Sequence, residues 1–274
     1  MTVPTRPDAL AVFAPGCFEG RTALITGGGS GIGRATAVLL ATLGARVAVM
    51  GRRPEALEGT VAAAREAGAA HEVLTASADV REPEQVDNVL DTLLADDALG
   101  RIDVLVNNAG GQFVSPAEQV SHKGFRAVTR LNLDATWYVS TQVAARSMIP
   151  QRDGVIVSIT MSPHRGMPGM SHSSAARAGV ESLMRTFAVE WGRHGIRTLA
   201  LAPGIVHTEA WERYGLDPDV ISAVVPLARL QAADEVAAAV AWAASPAGAY
   251  LTGTTITVDG GLDVSGPGSA FGAG

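Results

Sequence analysis

The chain is poor in thiols and in amines. Among its 274 residues there is one cysteine, Cys17, and among its 21 basic residues one lysine, Lys123. A lone cysteine excludes a disulfide scaffold and any metal site built on several thiolates, and no metal site is expected. A lone lysine leaves almost no amine for catalysis. Aromatic residues make up 5% and charged residues 18%, against 47% hydrophobic. That balance provides for a sizeable core and excludes a disordered chain. The formal net charge is −6, so concentrated positive charge for nucleic acid is missing and no nucleic-acid partner is expected. Long apolar runs are absent as well. The longest uncharged stretch, Val236–Val258, is broken by Pro246, Gly248 and Gly253, and reads as helix, turn and strand rather than a membrane span. No secretory signal and no C-terminal address are read, so the expected location is cytoplasmic, away from membranes.

What is present is an alternation. Short apolar runs at Thr22–Thr26, Arg46–Met50, Val73–Ala76, Val104–Val106, Val155–Ile159 and Thr198–Ala202 are continuous, as in strands buried on both faces. Between them lie helical patterns at Ile32–Leu43, Glu55–Ala67, Pro83–Leu94, Gly124–Met148 and Ser174–Arg193. In the last, Val180, Leu183, Met184, Phe187, Ala188 and Trp191 share one face. Six strand–helix repeats predict an α/β fold: a single-domain, Rossmann-type, doubly wound parallel sheet with helices on both faces. Residues 20–263 form the expected domain. Residues 1–19 are an N-terminal extension, able to pack on the body through Phe13 and Phe18, and 264–274 are a tail.

Directly after the first run comes Thr26-Gly27-Gly28-Gly29-Ser30-Gly31-Ile32-Gly33, opening the first helix. Glycines let a backbone approach a pyrophosphate closely, and a helix N-terminus offers free N–H groups to it. Strand before and helix after supply the context a dinucleotide motif requires. An NAD site places an acid at the end of the second strand to hold the ribose 2′-hydroxyl. Here that place reads Met50-Gly51-Arg52-Arg53, without a carboxylate. Two guanidiniums suit a 2′-phosphate, so the expected cofactor is NADP(H).

These residues resemble the short-chain dehydrogenase/reductase family. The resemblance runs from about Gly20 to Gly261. It implies that Asp79 and Val80 face the adenine, that Asn107-Asn108-Ala109-Gly110 follows the fourth strand, and that Asn132 is the active-site asparagine. It also implies that Pro203, Gly204, Ile205 and Thr208 hold the nicotinamide. The family uses a Tyr and a Lys four residues apart, with a Ser on the preceding strand. In this chain Ser173 falls on the tyrosine, Arg177 on the lysine, and Thr160 or Ser162 near the serine. Tyr138, Tyr214 and Tyr250, the three tyrosines, all fall elsewhere. Arginine can hold ribose hydroxyls but does not exchange protons, and a serine hydroxyl is a poor acid.

Gly110–Glu118, His172–Val180 and Ala202-Pro203-Gly204 resemble the trans-2-enoyl-CoA reductase branch, with the 2,4-dienoyl-CoA reductases as relatives. That branch implies hydride addition to the β-carbon of a CoA or carrier-protein thioester, with hydrogen-bond donors aimed at the carbonyl oxygen. Ser173, Asn132 and the backbone near Gly110 and Gly111 are candidates. Another tyrosine credited to the branch falls here on Glu181. His172 and Tyr214 are candidate proton donors, while His164 and His207 are expected to rim the pocket. The family also implies a homotetramer. Three readings stay open: a reductase of an activated C=C bond, an alcohol–ketone oxidoreductase with a relocated acid, and a repurposed member doing non-redox chemistry or only binding cofactor.

Overall fold

A computed structural model describes residues 11–96, 99–162, 164, 166–208 and 217–265. Seven parallel strands form one sheet. They are β1 (Thr22–Thr26), β2 (Arg46–Gly51), β3 (Leu74–Ser77), β4 (Val104–Asn107), β5 (Gly154–Ile159), β6 (Ile196–Pro203) and β7 (Thr255–Val258), in the order 3-2-1-4-5-6-7. β7 completes the six runs read as strands. Register is set residue by residue, with Ile25 opposite Val49 on one side and Val106 on the other. β1 and β4 are neighbours whose onward connections leave in opposite directions, so a crevice opens beyond their carboxyl ends.

Why these runs are continuously apolar is plain from the packing. Ala23 and Ile25 of β1 enter one core with α1 (Gly31–Thr42), α2 (Pro54–Glu66) and the helix Ala233–Ala244. Leu24, between them, enters a second core on the opposite face, against α3 (Pro83–Ala95) and later helices. Val155, Val157 and Ile159 of β5 take the first side and Ile156 the second. β3 departs from this pattern. Leu74, Thr75 and Ser77 are exposed, because β3 is the sheet's edge and has a strand neighbour on one side. The apolar run there is anchored by Val73, buried just before the strand.

The stretch read as one helix from Gly124 is a chain of helical pieces, here α4: His122–Thr129, Ala135–Val143 and Ile149–Gln151, joined by π turns at Arg130–Asp134 and Ala144–Met148. π turns inside a helix are uncommon and cluster at functional sites. The next helix, α5 (Ser171–Trp191), begins three residues ahead of its predicted start and buries Val180, Met184 and Phe187 as its periodicity implied. No helix among the described residues is long and apolar enough to cross a membrane, and no metal-holding cluster occurs among them.

The described part of the N-terminal extension packs on the body. Phe18 is 2% exposed within the first core, its N–H bonded to the Leu43 carbonyl at 3.0 Å, and Phe13 and Cys17 lie against the same cluster. Phe18→Ala therefore removes a core side chain, not a surface one. We expect a loss of about 3–5 kcal/mol, read as a lowered urea midpoint at unchanged slope.

Candidate active site

The crevice is framed by two loops that one hydroxyl ties together. Thr26 Oγ1, at the end of β1, accepts the N–H groups of Asn108 (3.1 Å) and Ala109 (3.0 Å), just past β4. Asn108 returns the contact, donating its side-chain amide to the carbonyls of Thr26 and Gly27, each at 3.1 Å. A Cβ on Gly27 would lie 2.9 Å from the Ala109 backbone, and one on Gly33 would lie 2.3 Å from the Gly27 carbonyl. Both contacts are closer than any side chain allows, so glycine is required for the turn to fold back on its own helix. Gly29 packs over Ala56 of α2, and Arg34 holds the Gly29 carbonyl at 2.7 Å from inside α1. Ser30 is the N-cap of α1 but makes no side-chain cap bond, and no acid occupies the first turn, where Ile32 lies. The first N–H groups are left for an anion. Thr208 leans over this loop, its methyl 3.1 Å from where a Gly31 Cβ would sit.

At the end of β2, Arg52 and Arg53 are exposed, and Arg53 is the N-cap of α2. Asp79, beyond β3, is held by the Arg81 guanidinium through Nε at 2.9 and 3.1 Å and Nη2 at 2.5 Å. That bonding, with weaker help from Arg52, keeps the Asp79 carboxyl below the usual carboxylate range, although burial acts the other way. Val80, next to it, is buried. Arg130, at the first π turn, reaches over to the Arg81 carbonyl (2.9 Å) and to Glu82 (3.0 Å). Arg81 and Arg130 were not among the sequence candidates. Their partners are fixed by loop geometry, which no periodicity reports.

Across the crevice the first turns of α5 present Ser173 and Arg177, one turn apart. Ser173 is buried and Arg177 is half-buried. The Ser173 hydroxyl donates to Gln112 Oε1 at 2.7 Å and has Met161 Sδ at 3.6 Å. Arg177 Nη1 donates to the Ile159 carbonyl at 2.6 Å, and Nη2 lies 2.3 Å from where a Gly110 Cβ would be. Burial pushes its guanidinium down to about 10, so it is still charged at neutral pH. No carboxylate pairs with Arg177 among the described residues. A cation partly withdrawn from water without a counter-ion is costly unless polar groups surround it, and the hydroxyl-rich part of a dinucleotide supplies such groups. Together with the glycine turn and the uncapped α1, this makes the crevice fit a nicotinamide dinucleotide.

Asn132 sits in the π turn Arg130–Asp134, fully buried. Its Oδ1 accepts the Gly111 N–H (2.9 Å) and its Nδ2 donates to the Gly111 carbonyl (3.1 Å). Both ends of the amide, and the Gly111 N–H, are thus engaged with each other rather than aimed outward. Asn132 holds the loop in which Gln112 stands, and Gln112 is the residue that sequence reasoning passed over. It lies inside the stretch Gly110–Glu118 noted above, but only its 61-residue-distant bond to Ser173 singles it out.

The remaining candidates are placed as follows. His172 is buried; its Nδ1 accepts the Ser173 N–H at 2.6 Å and its ring meets Phe113 edge-on at 4.2 Å. Burial lowers its basicity, with the Phe113 backbone acting in the opposite sense, so the imidazole is neutral at neutral pH and packs as part of the wall. Thr160 donates to the Leu201 carbonyl (3.3 Å), and Ser162 donates to Asp259, so neither hydroxyl points to the crevice. Tyr138 donates to Asp87 at 2.8 Å and Tyr250 is fully exposed. Tyr214 lies outside the described residues. At the end of β6 Pro203 is buried, and just past it Gly204 rests on Asp259, where a Cβ would be 2.9 Å from its Cα. Ile205 is fixed by the Gln231 N–H at 2.9 Å.

With this geometry, comparison with known proteins is informative. Residues 27–263 match the family model described as enoyl-(acyl carrier protein) reductase. A probable 2,4-dienoyl-CoA reductase of Bacillus subtilis (strain 168) is 40% identical over 89% of this chain and 97% of its own. A peroxisomal 2,4-dienoyl-CoA reductase of Pongo abelii is 37% identical over 91% and 86%. Among solved structures, a citronellol catabolism dehydrogenase of Pseudomonas aeruginosa PAO1 superposes with a TM-score of 0.81, at 42% identity, over 92% of this chain and 98% of that one. The chain belongs to the short-chain dehydrogenase/reductase family, whose members use nicotinamide dinucleotide cofactors, and it is an oxidoreductase.

Proposed function

We propose that this protein uses NADPH to reduce the C=C bond of a 2-enoyl or 2,4-dienoyl thioester. The observation that carries the reading is the pair on α5. Ser173 and Arg177 occupy the slots where a carbonyl reductase of this family carries its proton donor and the lysine that tunes it. A ketone accepting hydride needs a proton on oxygen as it reacts, and neither side chain delivers one readily. A conjugated thioester has a different need. Bound in the crevice, reduced nicotinamide supplies the hydride. The chain then has to stabilise negative charge spreading onto the thioester oxygen, and water can protonate the α-carbon. Gln112 and Ser173 suit this: the Ser173 hydroxyl donates to Gln112 Oε1, which leaves the Gln112 amide N–H groups to meet another acceptor. Donors preset where charge develops are a large catalytic term. Asn132 serves by fixing Gly111, and Arg177 by holding charge and hydroxyls beside Gly110. The dienoyl-CoA reductase relatives support the same substrate class.

For the cofactor, Arg52 and Arg53 support NADPH over NADH. No carboxylate stands at the end of β2, and Asp79, the nearby acid, is neutralised by Arg81. Thr26, Asn108, Ala109 and Gly110 shape the floor, and Pro203, Gly204, Ile205 and Thr208 the opposite wall.

Incubation with NADPH and either a 2-enoyl-CoA or an enal should yield the saturated product, identified by mass. An allylic alcohol from the enal would overturn C=C reduction in favour of carbonyl chemistry. Ser173→Ala and Gln112→Leu should each lower kcat by roughly 10²–10³-fold while leaving NADPH affinity unchanged. Arg52→Ala combined with Arg53→Ala should raise the KM for NADPH by roughly 10- to 100-fold, the scale of a lost charged hydrogen bond, without affecting NADH.

A further inference from the structure

Outside the crevice, one histidine joins three parts of the chain that are distant in sequence. His164 lies in the segment between β5 and α5. Its Nδ1 meets Asp263 Oδ2 at 2.7 Å and its Nε2 meets Glu181 Oε1 at 3.0 Å. Its backbone N–H also donates to Asp263 Oδ1 at 2.7 Å. Asp263 is in turn held by Asp259, whose Oδ2 accepts the Asp263 N–H at 2.7 Å and also the Ser162 hydroxyl. Glu181 is nearly buried and has Arg185 at 4.0 Å. The path therefore runs from Glu181 on α5, through His164, to the segment after β7, and back to the loop after β5.

That loop walls the candidate active site. Met161 touches the Ser173 hydroxyl, Ser162 N–H bonds to the Pro203 carbonyl at 3.0 Å, and the Gly169 carbonyl accepts Ser115 N–H at 2.9 Å, next to Phe113 and Val114. Gly204 rests on Asp259. The His164 bridge is thus attached to both the Ser173 wall and the nicotinamide loop, although it does not face the reacting atoms.

We infer that His164 is a positioning residue: as an imidazolium clasped between Glu181 and Asp263, it holds the 160–170 loop against α5 and so sets the substrate wall around Ser173. The clasp uses charge as well as shape. Burial disfavours the imidazolium, but hydrogen bonding and attraction from Asp263 and Glu181 together outweigh it and raise its pKa. The charged groups facing it are Glu181 and Arg185 from α5, and Asp263 with Asp259 from the segment after β7. Because the folded value is raised, the ionic contribution is complete below the ordinary histidine range. It fades as pH climbs through the raised value. The surviving neutral imidazole keeps one hydrogen bond where the cation made two.

The kinetic part of the test rests on the thioester-reductase reading; the exchange part does not. With a short 2-enoyl-CoA and NADPH, wild-type substrate KM should rise roughly threefold to tenfold between about pH 6 and about pH 9, at steady kcat and steady NADPH KM. His164→Gln should show the raised KM throughout, with a flat profile. Glu181→Gln keeps one carboxylate, so its rise should come at lower pH, and it serves if His164→Gln does not fold. Deuterium exchange compared at one pH should be faster over 159–170 in both variants and unchanged over α1. Wild-type KM and wild-type exchange in a folded His164→Gln or Glu181→Gln protein overturn the clasp. If the wild type turns over no thioester, the reading of substrate class fails, and exchange over 159–170 alone decides the clasp: faster supports it, unchanged overturns it.

Discussion

The Thr26 hydroxyl holds together the two strands between which the crevice opens. Parallel strands whose connections diverge leave their carboxyl ends unsupported, because each loop departs in its own direction. Thr26 accepts two N–H groups from the loop after β4, and Asn108 answers with two bonds to the loop after β1. The glycine turn can therefore lie flat against Ala109 without a side chain between them. Everything downstream takes its place from this join: Gly110 beneath Arg177, Gly111 in the grip of Asn132, and Gln112 on Ser173. Segment 107–112 is a rail, pinned at one end by β1 and at the other by α4 and α5.

Arg177 shows how strongly that rail constrains its neighbours. A half-buried guanidinium, bonded to the Ile159 carbonyl and free of carboxylate partners among the described residues, is a costly group to fold around. It is tolerated where a ligand offers oxygens to it, which is why the cation and the uncapped helix α1 make sense in the same crevice. On the opposite rim the acid Asp79 is satisfied by Arg81, leaving Arg52 and Arg53 exposed at the end of β2. Arg52, Arg53 and Arg177 therefore border one crevice although the chain as a whole carries −6. Local placement, not net charge, sets what it attracts.

The side of the crevice around Ser173 is built differently. Its wall is a loop, and loops hold a shape only when something outside them fixes it. Here the fixings are polar and partly buried: Ser162 on Asp259, His164 between Asp263 and Glu181, Gly169 on Ser115. Most join residues about 50 or 100 positions apart, so the end of the domain helps to shape a pocket begun in its middle. The half of the crevice around the glycine turn rests on strand ends and helix termini, whereas the half around Ser173 rests on side-chain bonds. Variation in substrate at constant fold follows naturally from that division.

By itself the sequence determined the sheet, because strands buried on both faces must be continuously apolar and the helices between them must be amphipathic. It also determined the glycine turn, which tolerates no Cβ, and the identities at 52, 53, 173 and 177, which limit the chemistry whatever their geometry. Tertiary structure decided the rest. Leu74 reads as core but lies on an edge strand with no neighbour to cover it. The π turn at Arg130–Asp134 leaves no trace in the helical period, since it accompanies an amide bonded to Gly111, 21 residues earlier. Asn132 reads as a donor and is instead a clamp, while Gln112 reads as loop and stands at the hydroxyl of Ser173. In each case the deciding partner is remote along the chain, and a one-dimensional pattern records periodicity and local chemistry but not which distant groups are brought within hydrogen-bond reach.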